Sequence, residues 1–320
     1  MPLPTFSLLA TVATLAFALP ASAQIAAFEP SDYGKANLSV RQNTGDAAAF
    51  IAASEGGAFE PLIELSESDR MAVLSRPVGR IDVLLRDPAT GEEGASTCTG
   101  ALLGGGLVLT NEHCLPQGGP YEIVEASILM GYLSLDGSGS ERFAMDPVPL
   151  ETRADLDFAV ARVDPAAETR WGHVALGSVP PGEGATRVVF HHPLGRPKVM
   201  SRFRCLVLGD RAGPPIVAHR CDTLPGSSGS LLVDDRGVAV ALHRAGGLDA
   251  SDPTSFNMAI DMGTILQASA VLSGTPAAQS GATGGEAAPA PATAAETAPV
   301  TETEPGRLST GQMNDILKGN

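Results

Sequence analysis

The 320-residue sequence predicts an all-β fold, a sandwich or a barrel, from the pattern of its central part. Between Ile81 and about Val238, short β-rich runs alternate with Gly/Pro turns. They are not interleaved with the long helical patterns that a parallel sheet would need. A hydrophobic content of 43% is enough to build a true core.

The runs follow in order. Ile81 to Leu85 opens the pattern after Asp69-Arg70 and a mixed segment, and Ala101 to Thr110, Ala126 to Leu133 and Phe158 to Val163 follow. Arg187 to Phe190, Cys205 to Leu208, Ile216 to Ala218, Ser230 to Val233 and Val238 to Leu242 make a second group. Asp261 to Leu272 is the one good helix candidate in this region, with Ile265, Leu266 and Leu272 apolar. Gln24 to about Glu67 is rich in small and acidic residues with few bulky apolar positions in period, and reads as a pro-segment or N-terminal arm (24–69). From Gly274 to about Pro305 the composition collapses to Ala, Pro, Thr, Gly, Ser and Glu, which cannot bury enough apolar area to offset ordering entropy. Leu308 to Asn320, with Met313, Ile316 and Leu317 at helical spacing, completes a tail at 274–320 as a docking peptide or a frayed end. A disordered tail is the expectation.

Residues 1–23 read as a secretory signal, with an apolar core from Phe6 to Leu19 and a small-x-small ending, Ala21-Ser-Ala. The expected product is secreted or periplasmic, with no stable membrane insertion after signal removal. Four cysteines, Cys98, Cys114, Cys205 and Cys221, fit an oxidising compartment, and three pairings are open to them. None shows the short Cys-x-x-Cys spacing that a structural zinc site favours, and His191-His192 reads as a strand ending in a turn, so no metal and no cofactor is expected. A net charge of −15 argues against nucleic acid, which needs a concentrated basic surface. Oligomeric state is not legible here.

Three short motifs carry chemistry. His113 ends an apolar run in Leu107-Val-Leu-Thr-Asn-Glu-His-Cys, Asp157 starts Asp-Phe-Ala-Val-Ala-Arg-Val, and Ser228 sits in Gly226-Ser-Ser-Gly-Ser. A hydroxyl becomes a good nucleophile only when an imidazole takes its proton, and that imidazole needs a carboxylate to fix its tautomer and stabilise its cation. Singly, a Gly/Ser cluster is usually a turn, and a lone His or Asp is usually structural. Together and in this order they point to a hydrolytic triad, with protein or peptide as substrate.

The three motifs resemble those of the chymotrypsin-fold (trypsin-like) serine peptidases. Cys98-Thr-Gly and His113-Cys114 resemble the family's Cys-x-Gly and Ala-His-Cys, in which the cysteines staple the histidine loop. Asp157-Phe-Ala-Val resembles Asp-Ile-Ala-Leu, and Gly226-Ser-Ser-Gly-Ser resembles Gly-x-Ser-Gly-Gly/Ser. The resemblance covers roughly Asp69 to Leu272 and is similar above all to the bacterial glutamyl-endopeptidase branch. It implies two six-stranded antiparallel β-barrels with a C-terminal helix in a peptidase domain at 70–273. It further implies His113, Asp157 and Ser228 as the triad, and the N–H groups of Gly226 and Ser228 as the oxyanion hole. The 16-position spacing within each neighbouring cysteine pair, taken with that stapled loop, leads to the expectation of Cys98–Cys114 and Cys205–Cys221 bonds.

Position 227 carries Ser where animal trypsins carry the Asp that pairs with a freed amino terminus, so that activation switch is missing. Substrate-pocket signals disagree. Thr223, five residues before Ser228, and His243, fifteen after it, match positions that take a glutamate side chain in the glutamyl enzymes. Asp222 stands where trypsins place the carboxylate that pairs with Arg or Lys. The leading expectation is an exported serine endopeptidase working through an acyl-enzyme with acidic P1. A basic P1 preference, a binding protein that has lost turnover, and a scaffold acting through its tail stand as alternatives. His243 also has the simpler reading of a histidine satisfied inside the barrel.

Overall fold

The computed structural model describes residues 26–41, 44–209, 211–249 and 251–274; the expected signal at 1–23 and the tail from 275 onward lie outside them. In chain order, β1 (Ala26–Phe28), α1 (Thr44–Glu55), β2 (Glu60–Pro61) and α2 (Arg70–Ser75) form the N-terminal arm and its junction. Seven strands follow: β3 (Val78–Arg86), β4 (Glu93–Leu103), β5 (Leu107–Thr110), β6 (Glu122–Met130), β7 (Glu141–Met145), β8 (Glu151–Arg153) and β9 (Phe158–Arg162). Helix α3 (Pro165–Trp171) leads to β10 (Ala175–Leu176), β11 (Val188–His191), β12 (Val199–Ser201), β13 (Ile216–His219), β14 (Leu231–Val233), β15 (Val238–Ala245), β16 (Asn257–Asp261) and α4 (Met262–Ala268).

The strands form two sheets, β7-β6-β3-β4-β5-β9-β8 with β1 on β4, and β13-β16-β15-β14-β11-β12-β2 with β10 on β15. Bridges join Met145 to Val163 in the first. In the second, Thr186 bridges to Leu206 and Val207 to His219, so each sheet curls back on itself as a barrel. All strand pairs are antiparallel except β10 with β15. The two antiparallel barrels are as expected, and each sheet holds eight strands when the short β1, β2 and β10 are counted. The arm lends β1 to the first sheet and β2 to the second, where Pro61 pairs with Val199 and Glu60 with Met200. The long run Ala101 to Thr110 is two strands, broken by a turn in which Gly105 and Gly106 both take positive φ. Cys205 to Leu208 makes only isolated bridges.

The predicted helix Asp261–Leu272 is shorter, because Asp261 is its N-cap, accepting from the Thr264 N–H at 2.8 Å, and the residues before it form β16. No helix among the described residues is long and apolar enough to cross a membrane.

The first barrel closes on Ile81, Leu102, Val108, Ile128 and Phe143. The second closes on Val189, Leu232, Val240 and Ala259 beside Cys205 and Cys221. Leu103, Leu109 and Phe158 of the first pack with Phe190, Leu231, Leu242 and Ile260 of the second, and with Ile265 of α4, in a core shared by both barrels. Burying such side chains contributes roughly 1.5–3 kcal/mol each, so the barrels are fastened face to face.

A charged cluster is buried beside that core. The Arg80 guanidinium, fully buried, donates to both Asp82 oxygens at 2.9 and 2.8 Å, and Arg142 Nη1 lies 2.9 Å from Asp82 Oδ2. The remaining Arg80 donors reach Lys35 O, Ala36 O and Gly195 O. Removing one partner of a buried pair strands the other, a loss of about 3–5 kcal/mol. Arg80→Ala is therefore expected to lower unfolding free energy by about that amount. Urea denaturation reads it, and a loss under 1 kcal/mol would contradict the assignment.

Candidate active site

The topology brings the motif residues to one end of the barrel contact. Strands β5 and β9 are antiparallel neighbours with Thr110 opposite Ala159, so the turn after β5 and the residue before β9 meet. His113 lies in that turn, and its Nδ1 is 3.0 and 2.9 Å from Asp157 Oδ1 and Oδ2, while its backbone N–H donates to Oδ1 at 3.2 Å. Asp157 takes φ +49, a left-handed conformation that Asp tolerates better than most residues, and its carbonyl accepts from Asn111 Nδ2 at 2.8 Å. Arg244 Nε brings a guanidinium 3.6 Å from Asp157 Oδ2. The Cys98–Cys114 bond ties β4 to the turn carrying His113, with the Cα atoms 6.1 Å apart. The second bond, Cys205–Cys221, joins the segments flanking β13.

Ser228 arrives from the second barrel. Its carbonyl accepts from Thr99 N–H at 2.9 Å and lies 3.9 Å from Cys114 Sγ, so it is set beside the histidine turn. Its hairpin-like loop is fitted with no slack. At Gly226 (φ +94) an added Cβ would meet His192 O at 2.7 Å, and at Gly229 (φ +85) it would meet Thr99 O at 2.1 Å. Both positions demand glycine for conformation and for room. Within the loop, Ser227 N–H donates to Leu224 O at 2.9 Å and Gly229 N–H to His243 O at 3.1 Å. His113 Nε2 is buried and has no hydrogen-bond partner among the described residues. Cys98, His113 and Cys114 cluster within 4.8 Å, but both sulfurs are bonded to each other and offer no thiolate to a metal.

The pocket residues are organised by partners that sequence reasoning missed, His219 and Asn257. Asn257 Oδ1 accepts from the N–H groups of Gly247 and Leu248, which fixes its amide. Its Nδ2 then donates to Cys221 O at 2.7 Å and Thr223 Oγ1 at 2.9 Å. Cys221 N–H donates to His219 Nδ1 at 3.2 Å, so the neutral His219 ring carries its proton on Nε2. That Nε2 faces His243 Nδ1 at 3.1 Å, which leaves the His243 proton on a buried Nε2 with no partner among the described residues. Burial holds His243 at about 3, with the nearby His113 adding to the depression, and pushes His219 well below its ordinary value. Thr223, accepting from Asn257, keeps its own proton to donate. The charges acting on Asp222 are those of Arg204 and Arg220, and burial pushes its carboxyl up. Position alone, nine residues before Ser228, was the only sequence signal for His219.

Behind the loop lies a direct His–Ser contact. His191 Nδ1 is 2.8 Å from Ser227 Oγ and Nε2 is 2.9 Å from Ser201 Oγ, in a fully buried ring held at about 3 by burial. With both nitrogens on serines, it lacks the carboxylate contact that His113 has.

Residues 98–242 match the family model described as a trypsin-like peptidase domain. No curated protein matches the chain. Among solved structures, the chain is similar to the active form of the Rv3671c protease from M. tuberculosis, at 15% identity and a TM-score of 0.47, covering 68% of this chain and 88% of that one. It is likewise similar to the HtrA-type protease AlgW with decapeptide, at 14% identity and a TM-score of 0.49 over 64% of this chain and 66% of that one. For Deg5 the identity is 20% and the TM-score 0.45, over 64% and 94%. Likenesses of that degree carry nothing about function, which rests on the family match and the site.

Four buried histidines set an acid limit on stability. The folded values of His191, His192, His219 and His243 are all depressed from 6.5 by burial. Above pH 6.5 both folded and unfolded rings are neutral and contribute no pH dependence. Below it the unfolded chain binds protons that the folded chain refuses, so stability falls as pH drops from 6.5 toward 3. Unfolding free energy measured from pH 8 to 4 should be flat above 6.5 and decline below it. His243→Gln with His219→Gln should flatten the decline, and an unchanged profile would contradict the assignment.

Proposed function

We propose, for a chain that carries a trypsin-like peptidase domain and is a serine endopeptidase, that it is exported and cleaves after acidic residues through an acyl-enzyme formed on Ser228. The observation that carries the reading is the bidentate approach of Asp157 to His113 Nδ1, 3.0 and 2.9 Å, beside the loop bearing Ser228. Asp157 then fixes the tautomer in which Nδ1 is protonated, and Nε2 serves as general base to Ser228 and as acid to the leaving amine. The oxyanion that develops on the scissile carbonyl is held by the N–H groups of Gly226 and Ser228. The intervening Ser227 N–H points back to Leu224 O, which supports this assignment. Export is supported by the leader-like residues 1–23 and by two disulfides, bonds that persist in oxidising compartments. Peptide or protein is the substrate, and no cofactor enters.

Acidic P1 is supported by the polarity of the pocket. His243 Nε2–H has no acceptor among the described residues, and the Thr223 hydroxyl accepts from Asn257 and so can donate; two such neutral donors suit a carboxylate and offer nothing to a lysine or arginine. Asp222, whose carboxyl burial pushes up against the smaller opposing effects of Arg204 and Arg220, is turned away on this reading. The basic-P1 alternative needs it turned in.

Ser228→Ala is expected to abolish peptide hydrolysis with the fold intact, and fluorophosphonate labelling of Ser228 should vanish in His113→Ala. Undiminished turnover by Ser228→Ala sinks the assignment. For the pocket, His243→Ala should lower kcat/KM for Glu-P1 peptides about tenfold to a hundredfold, the loss typical of a charge-assisted hydrogen bond, and leave neutral P1 peptides nearly unchanged. Asp222→Ser should change neither. A peptide library read by mass spectrometry that showed cleavage after Arg or Lys, erased by Asp222→Ser, would establish the basic alternative instead.

A further inference from the structure

The oxyanion loop has an unusual backing. In this chain Ser227 stands where a buried carboxylate would need a freed amino terminus, and its Oγ instead accepts from Leu224 N–H at 3.1 Å and meets His191 Nδ1 at 2.8 Å. The turn His192–Arg196 lies directly behind. Leu194 N–H donates to Pro225 O at 2.6 Å, and Thr99 Oγ1 bridges the two segments, accepting from His192 N–H at 3.1 Å and donating to Gly226 O at 2.8 Å. Gly226 is pressed against His192 O and the N atoms of Leu194 and Gly195, so displacement of this turn displaces the loop.

The outer side of that turn is covered by the N-terminal arm. Phe50 and Phe59, 3% and 2% exposed, pack with Leu194 and Val199, and Leu224 of the oxyanion loop packs against the same cluster. The Phe59 ring meets the His191 ring edge-on with centroids 5.2 Å apart, and Phe50 backs Phe59 at 5.6 Å. Leu38 and Val40 approach Gly195 from the other side, and β2 pairs with β12 immediately after the turn. Arg80 closes the ring by donating to Gly195 O and to the arm carbonyls of Lys35 and Ala36.

We propose that residues 26–61 are a permanent part of the active enzyme, and that Phe59 is a positioning residue that holds the oxyanion loop in its working shape through His191 and the turn 192–196. The inference rests on the serine-peptidase reading above. It decides between the two expectations for 24–69 in favour of an arm over a removable pro-segment. An apolar brace supplied by the chain's own N-terminal segment here does what an ion pair to a new amino terminus would do, so cutting the arm away disables the site.

The experiment compares wild type, Phe59→Ala and Phe59→Leu in the full chain, with cooperative thermal unfolding as a check of the fold. Removing an oxyanion donor outright costs about 10²–10³ in kcat, so loosening the loop should cost about tenfold or more, with KM changed less than about twofold. Phe59→Leu should restore most of the loss. Affinity for a peptide boronate, whose tetrahedral adduct occupies the oxyanion site, should fall in step with kcat, while binding of a product peptide should not.

Unchanged kcat in Phe59→Ala, or a loss confined to KM, overturns the proposal. A second measurement does not depend on the variants folding: mass spectrometry of fluorophosphonate-labelled active enzyme should find an N-terminus at or before Ala26. A labelled species beginning beyond Pro61 overturns the brace while leaving the peptidase reading intact. Failure of wild type to label at Ser228 removes that reading and the brace with it.

Discussion

The buried guanidinium of Arg80 is the constraint on which the rest of the molecule depends. Arginine offers five N–H donors in a rigid fork, always charged, and taking it out of water is costly unless every donor finds an acceptor. Asp82 takes the fork's face from the same strand, and the Tyr132 ring lies 4.8 Å from the guanidinium carbon. The other acceptors are Lys35 O and Ala36 O in the arm and Gly195 O in the second barrel. One side chain thus makes three separate stretches of chain obligatory to one another. The low dielectric around it strengthens the arrangement when complete and penalises it when any stretch is missing.

The site inherits that dependence. The proposed triad, split between two barrels, would work only if their contact is fixed to a fraction of an ångström, since a misplacement of about 1 Å can cost a hundredfold in rate. Two glycines register the fit. Gly229 lies against Thr99 and Thr110 of the first barrel, and Gly226 against the turn at His192, with no room at either for a Cβ. Thr99 serves both surfaces, through its N–H to Ser228 O and through Oγ1 to Gly226 O. Side chains that look like ordinary threonine in a strand are thereby part of what aligns His113 with the Ser228 loop.

What was legible in the sequence was local. Each motif of the proposed triad is a short segment in which the candidate residue abuts a strand or tight turn, so spacing and flanking residues carry it without knowledge of the fold. The equal cysteine spacings were legible for the same reason. The arm was not, because Phe28, Phe50 and Phe59 follow no period and their partners lie far along the chain. The first sheet's β3 is buried on nearly its whole length, so the alternation that marks a half-exposed strand is absent there. His219 and Asn257 were invisible as pocket residues, since a lone polar side chain in a sequence gives no sign of the network that fixes its tautomer or its amide.

That network explains why a pocket for a carboxylate would be built here from neutral groups. A lysine or arginine at the base of the pocket would need desolvation before substrate arrived, several kcal/mol in an empty site, whereas a neutral imidazole bears little of that penalty. The chain Cys221 N–H to His219 to His243 passes backbone polarity inward and presents an N–H at its end without any buried net charge. On the acidic-P1 reading, a bound carboxylate would favour a proton on His243, which burial disfavours in its absence. The His219–His243 pair would then take on positive character only when the substrate supplies the counter-charge. The nearby His113 adds to the depression that burial imposes on His243. Asp157 acts in the opposite sense on His243, and its carboxylate is shared between His113 Nδ1 at 2.9 Å and Arg244 Nε at 3.6 Å, so the charge that would favour a protonated His243 is already held by other partners.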